Sequence, residues 1–404
     1  MTKTRKHKTT LKELKTRILI PNLQLAKKLN KNMAGRKVIL LLFISLFSAS
    51  IAFGQTEVFK SVVNNLAFYK QKKDLKYLTS AKKSVDSLIK THSDSVDLQK
   101  NMYKAVVYCS IVYIDSTNKT KQPANFFDQT RRHLDKLLAN KKSYKYQPEL
   151  DYCKNCIANV YLRQGFEYMR MSDFNNAIAT FQKAKKYAPD YKNLNAYIAY
   201  ANNRLGNLLD AGKYYTDLLK TDSTKAEYIE AASNTFKAIG DTSKALQILQ
   251  KGRKHVPDDK FLLLDEANIY NNKRDYHALE PLLPKLLDEN PNNEEVVYIS
   301  ANCYDHLNKF DKAESLYLHA IELNSSLYEP VYSLGVLYFK MGVLKHNNDS
   351  VKDISRAGQW LEKASEMNPN DVKSLQLLQM VYQKTGNQDQ LDRVSEKLKL
   401  VTNQ

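Results

Sequence analysis

One spacing constrains this chain more than any other property: small and aromatic residues return every 34 positions. Residues 158–191, ANVYLRQGFEYMRMSDFNNAIATFQKAKKYAPDY, show the unit. Its first half carries Tyr161, Gly165 and Tyr168 at spacings of four and three; its second half carries Ala177, Phe181 and Ala184 at the same spacings. Those spacings put each trio on one face of a helix. Asp173 and Asn175 mark the turn between the helices, and Pro189 ends the second. Small residues let two backbones approach, and rings fill the gaps beside them. One such hairpin leaves an apolar face uncovered, so it needs neighbours of its own kind.

The neighbours are in the chain. Steps of 34 from Gly165 reach Ala199, Ser233, Ala267, Ala301 and Gly335, all small. From Tyr168 they reach Asn202, Phe236, Tyr270, Tyr304 and Tyr338. From Ala177 they reach Ala211, Ala245, Leu279 and Ala313, and from Phe181 they reach Tyr215, Leu249, Leu283 and Tyr317. Pro189, Pro257 and Pro291 share the lattice. The frame runs over 158–341 and resumes, after an insertion, at Ala357, Leu361, Ala364 and Pro369. This period and pattern resemble the tetratricopeptide repeat. The family's usual Trp is absent, its column reading Tyr161, Asn195, Ile229, Leu263, Val297 and Val331. The resemblance implies an all-α, right-handed superhelical solenoid of helix-turn-helix repeats that binds a protein or peptide partner.

A solenoid explains how 404 residues can form one array, because each repeat contacts only its neighbours. Six repeats are expected over 158–371, with an insertion at 342–356, and a C-terminal capping repeat over 372–404. Residues 55–157 are helical but off the lattice and read as degenerate N-terminal repeats. Two insertions, Asp115–Pro123 and Gly342–Arg356, fall at the turn inside a repeat, where they are either tolerated length or a docking edge.

The formal charge of +19 is concentrated at the start. Residues 1–32 form a basic extension or a misassigned start upstream of Met33. Residues 33–54 read as a signal peptide: Arg36 and Lys37, an apolar run over Val38–Phe47, then Ala52-Phe53-Gly54 before Gln55. A signal anchor over 38–53 is the alternative. Either puts the repeats across a membrane, periplasmic or extracellular. From Gln55 onward the excess positive charge reads as solubility, and no nucleic-acid partner is expected.

Catalytic and metal motifs are missing. No HExxH, GxSxG, Walker loop or GxGxxG occurs. Cys153 and Cys156 sit inside a helical pattern with no strand before them, which points to packing rather than redox or metal chemistry. The chain is therefore read as no enzyme, with no cofactor and no metal.

In the family it resembles, the first helix of each repeat lines a concave groove through its second, fifth, ninth and twelfth positions. Carried onto this sequence, those positions nominate Tyr200, Asn203, Asn234, Lys237, Asn268, Asn271, Tyr298, Asn302, Asp305, Tyr332 and Phe339 as partner-binding residues. The amides form a ladder along the groove. Asn both donates and accepts, so a row of amides can follow a peptide backbone whatever its sequence. The family's other use of the groove, gripping a C-terminal carboxylate with Lys at the fifth position, is not assembled here. That position reads Leu162, Ala196, Glu230, Leu264, Tyr298 and Tyr332. The remaining repeat positions, Gly165, Tyr168, Ala177, Phe181, Ala184, Pro189, Ala245, Ala267, Ala301, Ala313, Gly335 and Ala357, are expected to pack one helix on the next. Two other functions suit a chain of this composition. It could be a structural subunit of a cell-envelope assembly docking through its insertion edge or convex face, or a regulatory subunit of a separate enzyme.

Overall fold

The computed structural model describes residues 57–345 and 348–402; the basic segment 1–32 and the segment 33–54 read as a signal peptide lie outside the described residues. Every regular element among the described residues is a helix. The chain divides into two compact units at Ser223 and Thr224.

The first unit begins with a hairpin of α1 (Glu57–Lys72) and α2 (Leu75–Ser87), then a short α3 (His92–Val96). The hairpins α4 (Leu98–Ile114) with α5 (Phe126–Ala139), α6 (Gln147–Arg170) with α7 (Phe174–Tyr187), and α8 (Asn193–Leu205) with α9 (Leu208–Thr221) follow. Short polar side chains start these helices by accepting orphan backbone N–H groups: Asp74 for α2, Asp97 for α4 and Asp173 for α7. Thr91 and Asp94 form a reciprocal capping box on α3. Helix α4 is buried almost all round, from Met102 to Ile111, because α2, α5 and α6 each pack on it. Helix α6 starts upstream of the repeat frame, with Pro148 in its first turn. Gly165 explains its own column. A Cβ there would lie 2.5 Å from the ring of Phe181, which is wholly buried, so the ring occupies the space a side chain would need.

The second unit repeats the pattern: α10 (Ala226–Ile239) with α11 (Thr242–His255), α12 (Lys260–Lys273) with a broken partner, and α15 (Glu294–His306) with α16 (Phe310–Leu323). Then come α17 (Tyr328–Leu344) with α18 (Asn348–Met367), and α19 (Val372–Thr385) with α20 (Gln388–Thr402). The broken partner is α13 (Tyr276–Leu279), a 3-10 turn at Glu280–Leu282, and α14 (Leu283–Glu289). Pro281 and Pro284 cannot donate to the preceding turn, so the helix tightens there. Its lattice residues Leu279 and Leu283 still reach the core. Second helices pack under their own first helix and against the next one, while α10 touches α12, α15 touches α17, and α17 touches α19. The first helices therefore form one continuous layer within α10–α12 and within α15–α19.

Ala177, Ala184, Ala245, Ala267, Ala301, Ala313 and Ala357 are fully buried, and Gly165 and Gly335 are buried with them. Tyr168 is partly buried and Pro189 is exposed past the end of α7.

Two features were not visible in the repeat pattern. The Gly342–Arg356 insertion is not a long loop. It lengthens both helices of its hairpin, so α17 runs on to Leu344 and α18 starts at Asn348. Gly342 makes this possible: its Cβ would lie 2.8 Å from Ile354, and its carbonyl accepts from Ser350 Oγ at 2.6 Å. The second feature stitches repeats together. Lys285 Nζ donates to the carbonyl of Pro257 at 2.9 Å, and one period later His319 Nε2 lies 3.1 Å from the carbonyl of Pro291. Donor and acceptor both advance by one lattice step.

Candidate functional site

The nominated groove positions fall into two groups, one in each unit. In the first unit Tyr200 and Asn203 are partly buried on α8. The Arg204 guanidinium lies over the rings of Phe174 and Tyr200 and donates to the Tyr200 hydroxyl at 3.2 Å.

In the second unit Asn234 on α10, Asn268 on α12 and Asn302 on α15 hold one repeat position, and all three are partly buried. None of their side chains hydrogen-bonds to another described residue. Asn271, one turn after Asn268, has a buried Oδ1 with no donor. Partly buried amides normally find partners, because an unmet polar group costs about 1–3 kcal/mol. Aromatic area lies on α15 and α17: Tyr298, Tyr332 stacked on Tyr328 at 5.7 Å between centroids, and Phe339.

Two nominated residues do a different job. Asp305 is only 5% exposed. Its carboxylate accepts from Lys340 Nζ at 2.8 Å and from the Tyr317 hydroxyl at 3.4 Å, so it ties α15 to α17 and α16 instead of facing a partner. Burial, with Asp305 beside it, pushes the Tyr317 phenol far above its usual range. Lys237 is tied to Asp265 on α12 at 3.3 Å. Both pairs join neighbouring first helices, and burial raises the Asp265 carboxyl despite Lys237. The repeat pattern also gave no sign of Glu266, which is 4% exposed and paired with Arg253 from α11.

A separate cavity of about 430 Å³ opens in the first unit beside Ile111, Asp115, Phe127, Val160, Arg163 and Gln164. Its charged groups are already committed. Arg163 donates to the carbonyls of Tyr113 and Val112 at 2.6 and 3.0 Å, closing the end of α4. Asp115 accepts from the Lys119 and Thr120 amides at 2.8 and 2.7 Å, which folds the Asp115–Pro123 insertion into a compact loop.

Cys109, Cys153, Cys156 and Cys303 are free and buried. Desolvation pushes the first three thiols above their ordinary range, and lifts Cys303 to about 11. A thiol held protonated is a poor nucleophile. Among the described residues no three His, Cys, Asp or Glu side chains are grouped to hold a metal ion, and no helix is long and apolar enough to cross a membrane.

Two-helix units stacked through small-residue seams, with a layer of first helices bearing unpaired amides, define an α-helical repeat protein. The sequence model of the tetratricopeptide repeat matches residues 158–191 and 294–327, two units of the same 34-residue lattice. Those two segments are tetratricopeptide repeats. Among solved structures, MamA is 19% identical over 45% of this chain and 92% of its own, with a TM-score of 0.40. YrrB, described as a repeat protein of this family with an unusual peptide-binding site, is 19% identical over 48% and 96%, with a TM-score of 0.41. A tetratricopeptide repeat protein from Parabacteroides merdae is 17% identical over 61% and 98%, with a TM-score of 0.39.

Proposed function

We propose that the chain is a non-catalytic, exported scaffold that binds an extended peptide or protein segment along the first helices of its second unit. One observation carries this reading: Asn234, Asn268 and Asn302 share a repeat position, are partly buried, and have no side-chain partner among the described residues. An extended backbone presents donors and acceptors along its length and can satisfy such a row. Each net hydrogen bond is worth about 0.5–1.5 kcal/mol, so changing all three to Ala weakens the ligand by about 1.5–4.5 kcal/mol if the contributions add. The test is capture of the partner from cell-envelope extracts, then titration against parent and triple variant, with circular dichroism as the folding control. Equal affinity with intact helicity rejects the ladder.

A second reading, docking of an envelope assembly through the insertion edge, has its own observation. Val343, Leu344 and Val351 are exposed at the tip of the lengthened α17–α18 hairpin. Replacing all three with Ser abolishes capture under that reading and leaves it intact under the first. Export rests on the basic, apolar and small-residue order of 33–54. Mass determination of the native protein tests it: a mature chain starting at Gln55 supports export, and a cytosolic chain retaining residues 1–32 refutes it.

A further inference from the structure

One edge of the first unit is both basic and apolar. Residues 55–223 hold 28 Lys/Arg against 16 Asp/Glu, whereas 224–404 hold 22 against 26, so the excess positive charge past the signal segment belongs to the first unit. The edge is the one where α1, α4 and α6 start. Phe59 packs on Tyr103 at 5.1 Å between centroids, so α1 and α4 begin level. His133 Nε2 lies 2.9 Å from the carbonyl of Asn101, which brings the last turns of α5 to the same level. Between α5 and α6 the chain makes a 3-10 turn at Lys141–Tyr146. Residues 136–148, KLLANKKSYKYQP, contain four lysines and no carboxylate. Lys136, Lys141, Lys142 and Lys145 are exposed and make no ion pair with any described residue. Among them Leu138 is 39% exposed and Tyr144 69% exposed. The connection between α2 and α4 adds exposed Val96 and unpaired Lys90. Burial, with the Asp97 carboxylate close by, raises the Tyr146 phenol, so the two connections adjoin. Most acids of this edge are taken: Asp94 by Lys100 at 2.5 Å, Asp135 by Arg131 at 3.0 Å and Asp151 by Lys154 at 2.6 Å. Asp97 caps α4. Glu149 and Asp190 remain, against five unpaired lysines.

We propose that this edge rests on an anionic phospholipid membrane, with Val96, Leu138 and Tyr144 at the headgroup level and the lysines against lipid phosphates. Lysine suits the place, because its stem lies along apolar surface while its ammonium reaches outward. Tyrosine likewise settles at membrane interfaces. The exposed apolar side chains separate this edge from a merely solvated charge run, since peripheral binding draws on apolar burial and charge together. The course of the chain agrees. Only three residues separate the apolar run 38–53, read above as a signal peptide or anchor, from α1, and α1 starts at this edge. A retained anchor puts the edge at the bilayer; a cleaved one leaves the edge to hold the chain there. This contact is independent of the groove in the second unit.

The test is flotation of the purified native chain with phosphatidylcholine vesicles, with and without phosphatidylglycerol. Each lysine at an anionic surface contributes about fivefold in affinity. The Lys136→Gln/Lys141→Gln/Lys142→Gln/Lys145→Gln variant should therefore bind phosphatidylglycerol vesicles about 100–1,000-fold more weakly than the parent, and raised salt should weaken the parent. Lys72→Gln/Lys73→Gln/Lys119→Gln/Lys121→Gln removes the same charge from exposed turns at the opposite ends of these helices and should stay close to the parent's affinity. A second readout reports the edge itself: Tyr144→Trp in a Trp360→Phe background should shift its emission to the blue on phosphatidylglycerol vesicles and not on phosphatidylcholine alone. Equal loss in the two lysine variants, no loss in the first, or an unshifted Trp overturns the membrane contact. Heparin binding through these lysines without vesicle binding overturns it in favour of an anionic polymer.

Discussion

The sharpest test of the repeat frame is at Gly335, in the seam between α17 and α18. A Cβ there would sit 2.8 Å from Leu361 Cγ, 3.0 Å from its Cδ2 and 3.3 Å from its backbone nitrogen. Carbon atoms in ordinary contact stay about 3.5–4.0 Å apart, so an alanine needs the Leu361 side chain to shift. Leu361 is wholly buried. Overpacking of this kind costs about 1–3 kcal/mol, while replacing a helical glycine returns about 0.8–1.0 kcal/mol of helix propensity. Gly335→Ala should therefore lie within about 0–2 kcal/mol of the parent on the destabilised side. Gly335→Leu, with three more carbons to place against a backbone nitrogen, should lose about 1–3 kcal/mol net. Leu361→Ala alone costs about 2–5 kcal/mol. It also removes the atoms that Gly335→Ala would strike, so the double variant should fall short of additivity by about 1–2 kcal/mol. Urea unfolding followed by circular dichroism reads all four proteins. Because repeats couple only to neighbours, the losses should also broaden the transition. A Gly335→Leu protein as stable as the parent, or strictly additive behaviour in the double variant, would refute the close approach of these two helices.

The buried thiols should resist alkylation in the native chain at pH 8 and react together on unfolding; rapid native labelling of Cys109, Cys153 or Cys156 would contradict their burial. Burial raises the Asp265 carboxyl. Its contribution is then full below the unfolded carboxyl value and is lost as pH rises through the folded one. Asp265→Asn should accordingly gain on the parent between pH 4 and pH 7, and a difference that stays flat over that range rejects the assignment. Gly206 and Gly386 hold left-handed backbones, at φ 80° and 68°, with nothing within 4 Å of a Cβ. Alanine at either should cost about 1–2 kcal/mol through backbone strain alone, and a Gly206→Ala variant as stable as the parent by urea unfolding would show that the helix ends otherwise.

The small-residue columns were legible because the seam they form is a property of spacing, and spacing is written in the sequence. Gly165 and Phe181 can be paired from their repeat positions alone, since one is small where the other is large. The interruption of the helix after Leu279 also has a sequence signal, Pro281 and Pro284, but the lattice columns at Leu279 and Leu283 continue through it and mask it. Asp305 was misplaced for a different reason. Its repeat position faces the partner in a regular array, yet Lys340 and Tyr317 draw it inward. No single repeat contains that information, because the pair spans two. The same holds for Arg253 with Glu266. The insertion at 342–356 looked like a loop because it breaks the period, whereas helix extension needs only that both helices lengthen together.

The contacts of Lys285 with Pro257 and of His319 with Pro291 bear on how such an array could grow. Donor and acceptor sit a fixed 28 residues apart in both cases, and each advances with the lattice. A duplicated unit copied from this stretch would arrive with a donor for the junction before it and an acceptor for the junction after it. Its seams would be wired on both sides without a further substitution. Lengthening or shortening this part of the chain by whole units then keeps the donor–carbonyl contact at the new joint, while a change by any other number of residues loses it.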